Sequence, residues 1–357
     1  MRTYLLPEYG TYYKANLHSH SNCSDGNLSP EAMKDEYKKR GYSILCFSDH
    51  DFLRAHNELT DDDFLIITGY EISIRSDDDV TPHCFRKVVD INLFAKEPDN
   101  LTHIGFHPKT IEWLINRGKI TQENADNAVY AGEYRDLHYY TANINKIIRS
   151  ANENGFLVSI NHPNWSNTNY NDYGVYEGAW AIEIYNHGCY ALTGLPDSER
   201  AFDDILKSGK NIFAIATDDN HNTFGLDEYK CDSFGGYTMI KAENLDYKSV
   251  IEAMEKGNFY ASCGPEIKEL YYEDGKIHIE CSPAADICML TLGRLGKRFA
   301  NYDGSPVTSA DFKIDKEHFG YVRFRVTDTS GKKAWTNAYY IDDFEPDATL
   351  KRTIWDK

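Results

Sequence analysis

Residues 13–20 read Tyr13-Lys14-Ala15-Asn16-Leu17-His18-Ser19-His20. The run to Leu17 has the length of a short strand. Side chains alternate between faces along a strand, so His18 and His20 leave its end on the same side. The same plan recurs down the chain. ILCF (44–47) runs into Ser48-Asp49-His50-Asp51, and FLIIT (64–68) into Gly69-Tyr70-Glu71. FLVSI (156–160) runs into Asn161-His162-Pro163, AIEIY (181–185) into Asn186-His187, and IFAIA (212–216) into Asp218-Asp219-Asn220-His221. With VVDINLFA (88–95) there are seven candidate strands. Amphipathic segments lie between them. Ser29-Pro30 opens EAMKDEYKKR, which Gly41 closes, and similar glycine stops stand at Gly155, Gly209 and Gly257. Strands alternating with helices predict an α/β fold with a parallel sheet or a barrel. In such folds the active site forms at the carboxyl ends of the strands, where six of these runs deliver histidine or carboxylate.

From residue 263 the pattern changes. EIKELYYEDGKIHIECSP (266–283) is two alternating runs around Asp274-Gly275, a hairpin signal. In the run 321–341, Tyr321, Arg323 and Arg325 fall on one face, and Val322, Phe324 and Val326 on the other. A first unit over 1–262 followed by a small all-β, sandwich-like antiparallel domain over 263–357 is expected. The stretch 97–140 reads as a helical insertion over the rim.

The chain has 357 residues, with 56 Asp+Glu against 38 Lys+Arg and a formal charge of −18. That balance argues against a non-specific nucleic-acid groove, which needs basic surface to replace phosphate counterions. No apolar run approaches the roughly 18 residues of a membrane span. The opening MRTYLLPEYG lacks the pattern of a signal peptide. Eight cysteines are scattered singly, so free thiols in a reducing, cytoplasmic compartment are expected, with Cys46 and Cys281 in the core. Oligomeric state is not legible in the sequence.

His18, His20, Asp25, His50, Glu71, His162, Asp219 and His221 make eight oxygen or nitrogen donors. They are too many for one tetrahedral ion and enough for two or three, and imidazole with carboxylate suits zinc, manganese or iron. Glu71, alone at a strand end among histidine loops, is the natural bridge. Singly, each motif has an ordinary reading as a turn, a cap or a core histidine. Those readings do not predict that all of them gather at strand ends. Asp61–Asp63 and Asp77–Asp79 read as solvated turns, and His56, His103, His107, His278 and His318 as ordinary histidines.

The series His18-Ser19-His20-Ser21-Asn22-Cys23-Ser24-Asp25-Gly26, Ser48-Asp49-His50-Asp51, Gly69-Tyr70-Glu71, Asn161-His162-Pro163 and Asp219-Asn220-His221 resembles the PHP (polymerase and histidinol phosphatase) family. The motifs span residues 16 to 221 in family order. Gly257-Asn258-Phe259-Tyr260-Ala261-Ser262-Cys263-Gly264-Pro265 looks like the exit from the PHP domain in two-domain members. The resemblance implies a distorted (β/α)7 barrel with two or three divalent ions at its rim. Carried over, one ion falls to His18, His20, Glu71 and Asp219, a second to Glu71 and His162, and a third to Asp25, His50 and His221. Asp218 is the alternative to Asp219. Where the family usually has a further histidine, this chain has Asp90 in Val88-Val89-Asp90-Ile91-Asn92, with His83 as the alternative.

The implied activity is metal-dependent hydrolysis of a phosphoester, in a small phosphorylated metabolite or nucleotide, by a metal-bridged hydroxide. On that reading His187 is the general acid, Arg135 and His138 clamp the substrate phosphate, and Trp165 stacks on a substrate ring or packs its loop. The competing readings are a metal-dependent amidohydrolase acting on an amide or lactone, and a non-catalytic metal-binding scaffold.

Overall fold

The computed structural model describes residues 2–76, 81–105, 107–131, 139–195 and 197–350. The apolar runs are strands: β1 (Thr11–Asn16), β2 (Ile44–Phe47), β3 (Leu65–Arg75), β4 (Val88–Ala95), β5 (Phe156–Ile160), β6 (Ala181–Asn186) and β7 (Phe213–Thr217). They lie in the order β7-β6-β5-β4-β3-β2-β1 within one large sheet. Every residue of β2 and of β5 is buried, the mark of strands covered on both faces.

Four of the six neighbouring pairs are parallel, whereas β4 runs antiparallel to both β3 and β5. The cause is local. A parallel return needs a crossover of a dozen or more residues, usually a helix. Among the described residues between β3 and β4 there is only the 3₁₀ turn His83–Phe85. The two ends of the seven-strand run meet at the rim. The Asp219 N–H donates to His18 O at 2.9 Å, and the His20 N–H donates to Asn220 O at 3.0 Å.

The helices follow from their punctuation. Ser29 caps α1 (Pro30–Lys39) by accepting from the Ala32 N–H, and Met33 and Tyr37 are its buried stripe. In α2 (Thr141–Glu153), Ile144, Ile147, Ile148 and Ala151 recur at the helical period and are buried. Each buried isoleucine there contributes about 1.5–3 kcal/mol. Asp246 caps Tyr247–Lys256, which ends on Gly257 at φ +71°, a left-handed position that suits glycine.

Residues 97–131 differ from the helical insertion expected. Two helices, Pro108–Asn116 and Gln122–Asn127, stand in the chain between the two strands of a parallel pair, Thr102–Ile104 and Val129–Ala131. Lys119 Nζ donates to Asn22 O at 3.1 Å, which holds this segment against the loop that follows β1.

Beyond β1 the large sheet continues through Tyr237–Ala242 and Phe259–Ser262 into Lys333–Thr336, Tyr321–Thr327 and Asp286–Thr291. A second sheet combines Ile267–Glu273, Lys276–Ala284 and Val307–Lys313 with the N-terminal Thr3–Tyr4. Ile277 and Ile279 of this sheet share a core with Val322, Phe324 and Val326 of the other. The opposite face of Tyr321–Thr327 is buried too: Arg323 is 0% exposed and pairs with Glu199 and Asp203. No helix among the described residues is long and apolar enough to cross a membrane.

Candidate metal centre

The loop after β1 is folded around Asp49. Its carboxylate accepts from the Ser21 and Ser24 N–H groups at 2.9 and 3.1 Å and from both serine hydroxyls. A Cβ on Gly26 would lie 2.0 Å from His20 O, so the return of this loop requires glycine. The turn sets Asp25 opposite three imidazoles: Oδ1 is 3.7 Å from His20 Nδ1 and 3.5 Å from His221 Nε2, and Oδ2 is 3.6 Å from His50 Nε2.

Deeper in, Asp219 Oδ1 lies 3.1 Å from both His18 Nε2 and His20 Nε2. A third group joins Glu71, Asp90 and His162. Glu71 connects all three. Its Oε1 is 3.2 Å from His18 Nε2 and 3.8 Å from His162 Nε2, and its Oε2 is 3.3 Å from His20 Nε2 and 3.1 Å from His50 Nδ1. In each group the donor atoms lie within 4.8 Å of one another.

The electrostatics suit a cation. Burial works against a charge on His162 and on His221. The carboxylates of Glu71, Asp219 and Asp90 facing His162, and of Asp25 and Asp219 facing His221, outweigh it and push each ring up to about 9. Burial and the charge on Glu71 push Asp90 up to about 6. Burial raises Asp25 and Asp219 as well, but neighbouring histidines pull both well below the usual carboxylate range. His20 Nδ1 and His50 Nδ1 are buried and make no hydrogen bond among the described residues. Four carboxylates converging on imidazole nitrogens without hydrogen-bond partners form a donor set that fits divalent ions and is costly without them.

A shell of hydrogen bonds holds these donors. Glu183, in the middle of β6 and fully buried, accepts from His18 Nδ1 at 2.6 Å and the Thr217 hydroxyl at 2.7 Å through Oε1. Through Oε2 it accepts from the His162 N–H at 2.8 Å and from Asn186 at 3.0 Å. His18 is thereby fixed with its proton on Nδ1 and Nε2 turned to the cluster. Asn161 donates to Glu71 Oε1 at 2.7 Å, and Ser73 donates to Asp90. His162 and Asp219 take positive φ of 27° and 53°, strain that concentrates at functional sites.

His18, His20, Asp25, His50, Glu71, Asp90, His162, Asp219 and His221 thus come together from six strands and the loops that follow them, with Glu71 inside β3 rather than at the strand end expected and Asp90 inside β4. Asp218 faces away, accepting from the N–H groups of Phe234, Gly235 and Gly236 and from the Tyr37 hydroxyl. His83 lies exposed in its 3₁₀ turn, outside the three groups. His187 begins the short helix His187–Thr193 and meets the Tyr185 hydroxyl at 3.1 Å through Nδ1. It belongs to none of the three groups. Trp165 is 42% exposed, its ring edge-on to His162 with centroids 4.9 Å apart. Arg135 and His138 lie outside the described residues. Sequence reasoning missed Glu183, although a lone carboxylate inside the apolar run AIEIY was a usable signal, since glutamate is almost never fully buried unpaired.

A family model described as PHP domain matches residues 16–231. No curated protein matches the chain. Solved structures are similar at low identity. One is a two-domain protein from Bacteroides vulgatus described as containing a predicted PHP-like metal-dependent phosphoesterase, at 15% identity and TM-score 0.45, covering 95% of this chain and 97% of that one. Another, from Bifidobacterium adolescentis, is a candidate metal-dependent phosphoesterase at 15% identity and TM-score 0.34, covering 64% of this chain and 94% of that one. A third is an amidohydrolase from Chromobacterium violaceum with bound sulfate and no metal, at 15% identity and TM-score 0.33, covering 58% and 87%.

Proposed function

Because the chain belongs to the PHP domain family, we propose that it hydrolyses a phosphoester in a small phosphorylated metabolite or nucleotide, using two or three divalent ions. The observation that carries this reading is the convergence of three donor groups on Glu71, with buried imidazole nitrogens that make no hydrogen bond. Asp25, His50 and His221 would hold one ion, His18, His20 and Asp219 another, and Glu71, Asp90 and His162 a third. Zinc, manganese and iron all suit imidazole with carboxylate, and the two carboxylates of the Glu71 group lean toward the harder manganese. Bound divalent ions supply Lewis acidity toward phosphoryl oxygens and an acidified water.

The chain's own side chains set up the rest. Glu183 orients His18 and the His162 backbone, and Asn161 fixes the Glu71 carboxylate. His187, backed by the Tyr185 hydroxyl, gives its proton to the leaving oxygen. Trp165, half-open beside His162, borders the substrate. Arg135 and His138 clamp the phosphate.

The same reading closes the seven strands into a distorted (β/α)7 barrel, supported by the hydrogen bonds between the β1 and β7 ends. It divides the chain into a catalytic unit over 1–262 and a β domain over 263–357. A cytoplasmic location is supported by eight cysteines that are all free thiols. After metal reconstitution, the protein should turn over p-nitrophenyl phosphate esters and leave model amides and lactones intact. Amide or lactone turnover without phosphoester turnover would replace this reading with an amidohydrolase. Failure to retain divalent ions would replace it with a scaffold.

A further inference from the structure

The loop that presents Asp25 also carries Cys23, which the centre above does not use. Cys23 Sγ, a carboxylate oxygen of Asp49 and a ring nitrogen of His56 lie within 4.8 Å of one another. Asp49 is already held in place. Its Oδ1 accepts three hydrogen bonds, from the Ser21 N–H, the Ser24 N–H and the Ser24 hydroxyl, while among the described residues Oδ2 accepts only from the Ser21 hydroxyl at 2.7 Å. Oδ2 therefore keeps a lone pair. The His56 ring is edge-on to Phe47, with centroids 5.0 Å apart. Its Nδ1 lies 3.6 Å from Glu58 Oε1, and its Nε2 is buried with no hydrogen-bond partner among the described residues. A buried nitrogen left in that state costs about 1–3 kcal/mol unless something else fills its lone pair.

We propose that Cys23, Asp49 and His56 form a satellite site for a zinc-type cation, separate from the centre around Glu71. A thiolate and a carboxylate bring two negative charges, which one divalent ion balances. The neutral imidazole is the third ligand, and burial, which lowers the affinity of His56 for a proton, keeps that ring neutral. A thiolate selects zinc over magnesium or manganese, and three protein ligands leave a fourth position open to water. The serines on Asp49 and the glutamate beside His56 Nδ1 are the kind of outer partners that orient metal ligands. The three ligands come from the loop after β1, the loop after β2 and the residue that precedes the 3₁₀ turn Asn57–Leu59. A bound ion ties together the segments that also carry Asp25 and His50.

Cobalt(II) separates this site from the main centre, because none of the nine residues assigned there is a cysteine. The cobalt-loaded protein should show near-ultraviolet thiolate-to-cobalt charge-transfer absorption. The band should persist in Cys189→Ser, which removes a thiol close enough to Asp219 and Glu183 for their charges to act on it. It should vanish in Cys23→Ser and weaken in His56→Gln, and zinc-loaded Cys23→Ser should hold one ion fewer per chain by elemental analysis. Absence of the band in the wild-type protein, or its survival in Cys23→Ser, would overturn the assignment. Should Cys23→Ser fail to fold, alkylation of the wild-type protein with iodoacetamide decides instead. Protection of Cys23 by zinc, read by mass spectrometry, supports the site, and equal labelling with and without zinc refutes it. None of these measurements depends on turnover, so they stand or fall apart from the phosphoesterase reading.

Discussion

Glu183 contributes no donor to the three groups, yet it connects two of their histidines, holding the ring of His18 and the backbone of His162 from one buried carboxylate. Glu183→Gln replaces an acceptor oxygen with an amide that cannot accept from both partners at once. Outer partners of metal ligands are typically worth 10–100-fold in metal affinity or activity. Calorimetric titration of the variant with zinc or manganese should show a loss of that order, while the circular dichroism spectrum stays native. An unchanged affinity would mean that His18 needs no such support. The histidines and Asp219 of the candidate centre were legible because such residues just after apolar runs are conspicuous, whereas Glu71 lies inside β3 rather than at its end and Asp90, inside β4, was named only through the family resemblance. Glu183 announces itself in the sequence only as a carboxylate inside an apolar strand, a sign that it has a partner but not of which one. Only the neighbouring strands reveal that it faces His18, which is 165 positions away in the chain.

Secondary elements are held to one another by a few buried polar contacts that can be tested singly. His103, on the strand Thr102–Ile104, accepts from the Leu53 N–H at 3.0 Å and so ties residues 97–131 to the segment after β2. Burial, with a smaller contribution from Arg54, pushes this histidine down to about 4. Its pKa is lower folded than unfolded, so the unfolded chain binds more protons between those two values. The stabilisation is complete above about pH 6.5 and is lost as the pH falls from there toward 4, amounting to roughly 3 kcal/mol. Chemical denaturation at pH 7 and pH 4.5 should show a flatter acid limb for His103→Gln, which keeps an acceptor but does not titrate. Parallel curves would contradict the prediction.

Arg323 makes the corresponding link between Tyr321–Thr327 and the helix Glu199–Lys207, donating to Asp203 at 2.8 Å and Glu199 at 2.9 Å. The sequence placed it on the face opposite Val322 and Phe324, and it is buried like them, while Arg325 on the same face is half-buried. Arg323→Ala leaves Asp203 without this guanidinium and Glu199 with Arg325 alone, and should cost about 3–5 kcal/mol by urea denaturation. A loss below 1 kcal/mol would show the pairs to be dispensable.

For the molecule as a whole, a formal charge of −18 places this chain among strongly acidic proteins, and four of its carboxylates, Asp25, Glu71, Asp90 and Asp219, converge at one rim. Ions that bind only the folded state stabilise it by mass action, about 2.7 kcal/mol at a hundredfold excess over Kd. Exhaustive chelation should therefore lower the calorimetric Tm by several degrees, and re-addition of zinc or manganese should restore it. A Tm indifferent to chelator would count against a loaded centre. The sequence by itself determined the seven apolar runs that form β1 to β7, the caps and glycine stops of the helices between them, and the histidines that follow β1, β2, β5 and β7. Alternation, capping and glycine stops are properties of neighbouring residues and need no partner. Tertiary structure alone decided that Thr3–Tyr4 pairs with Ile267–Glu273, that Asp219 rather than Asp218 turns to the cluster, and that Glu183 stands behind His18. Each of these depends on which distant segment lies alongside, and that is settled by packing the whole apolar core at once.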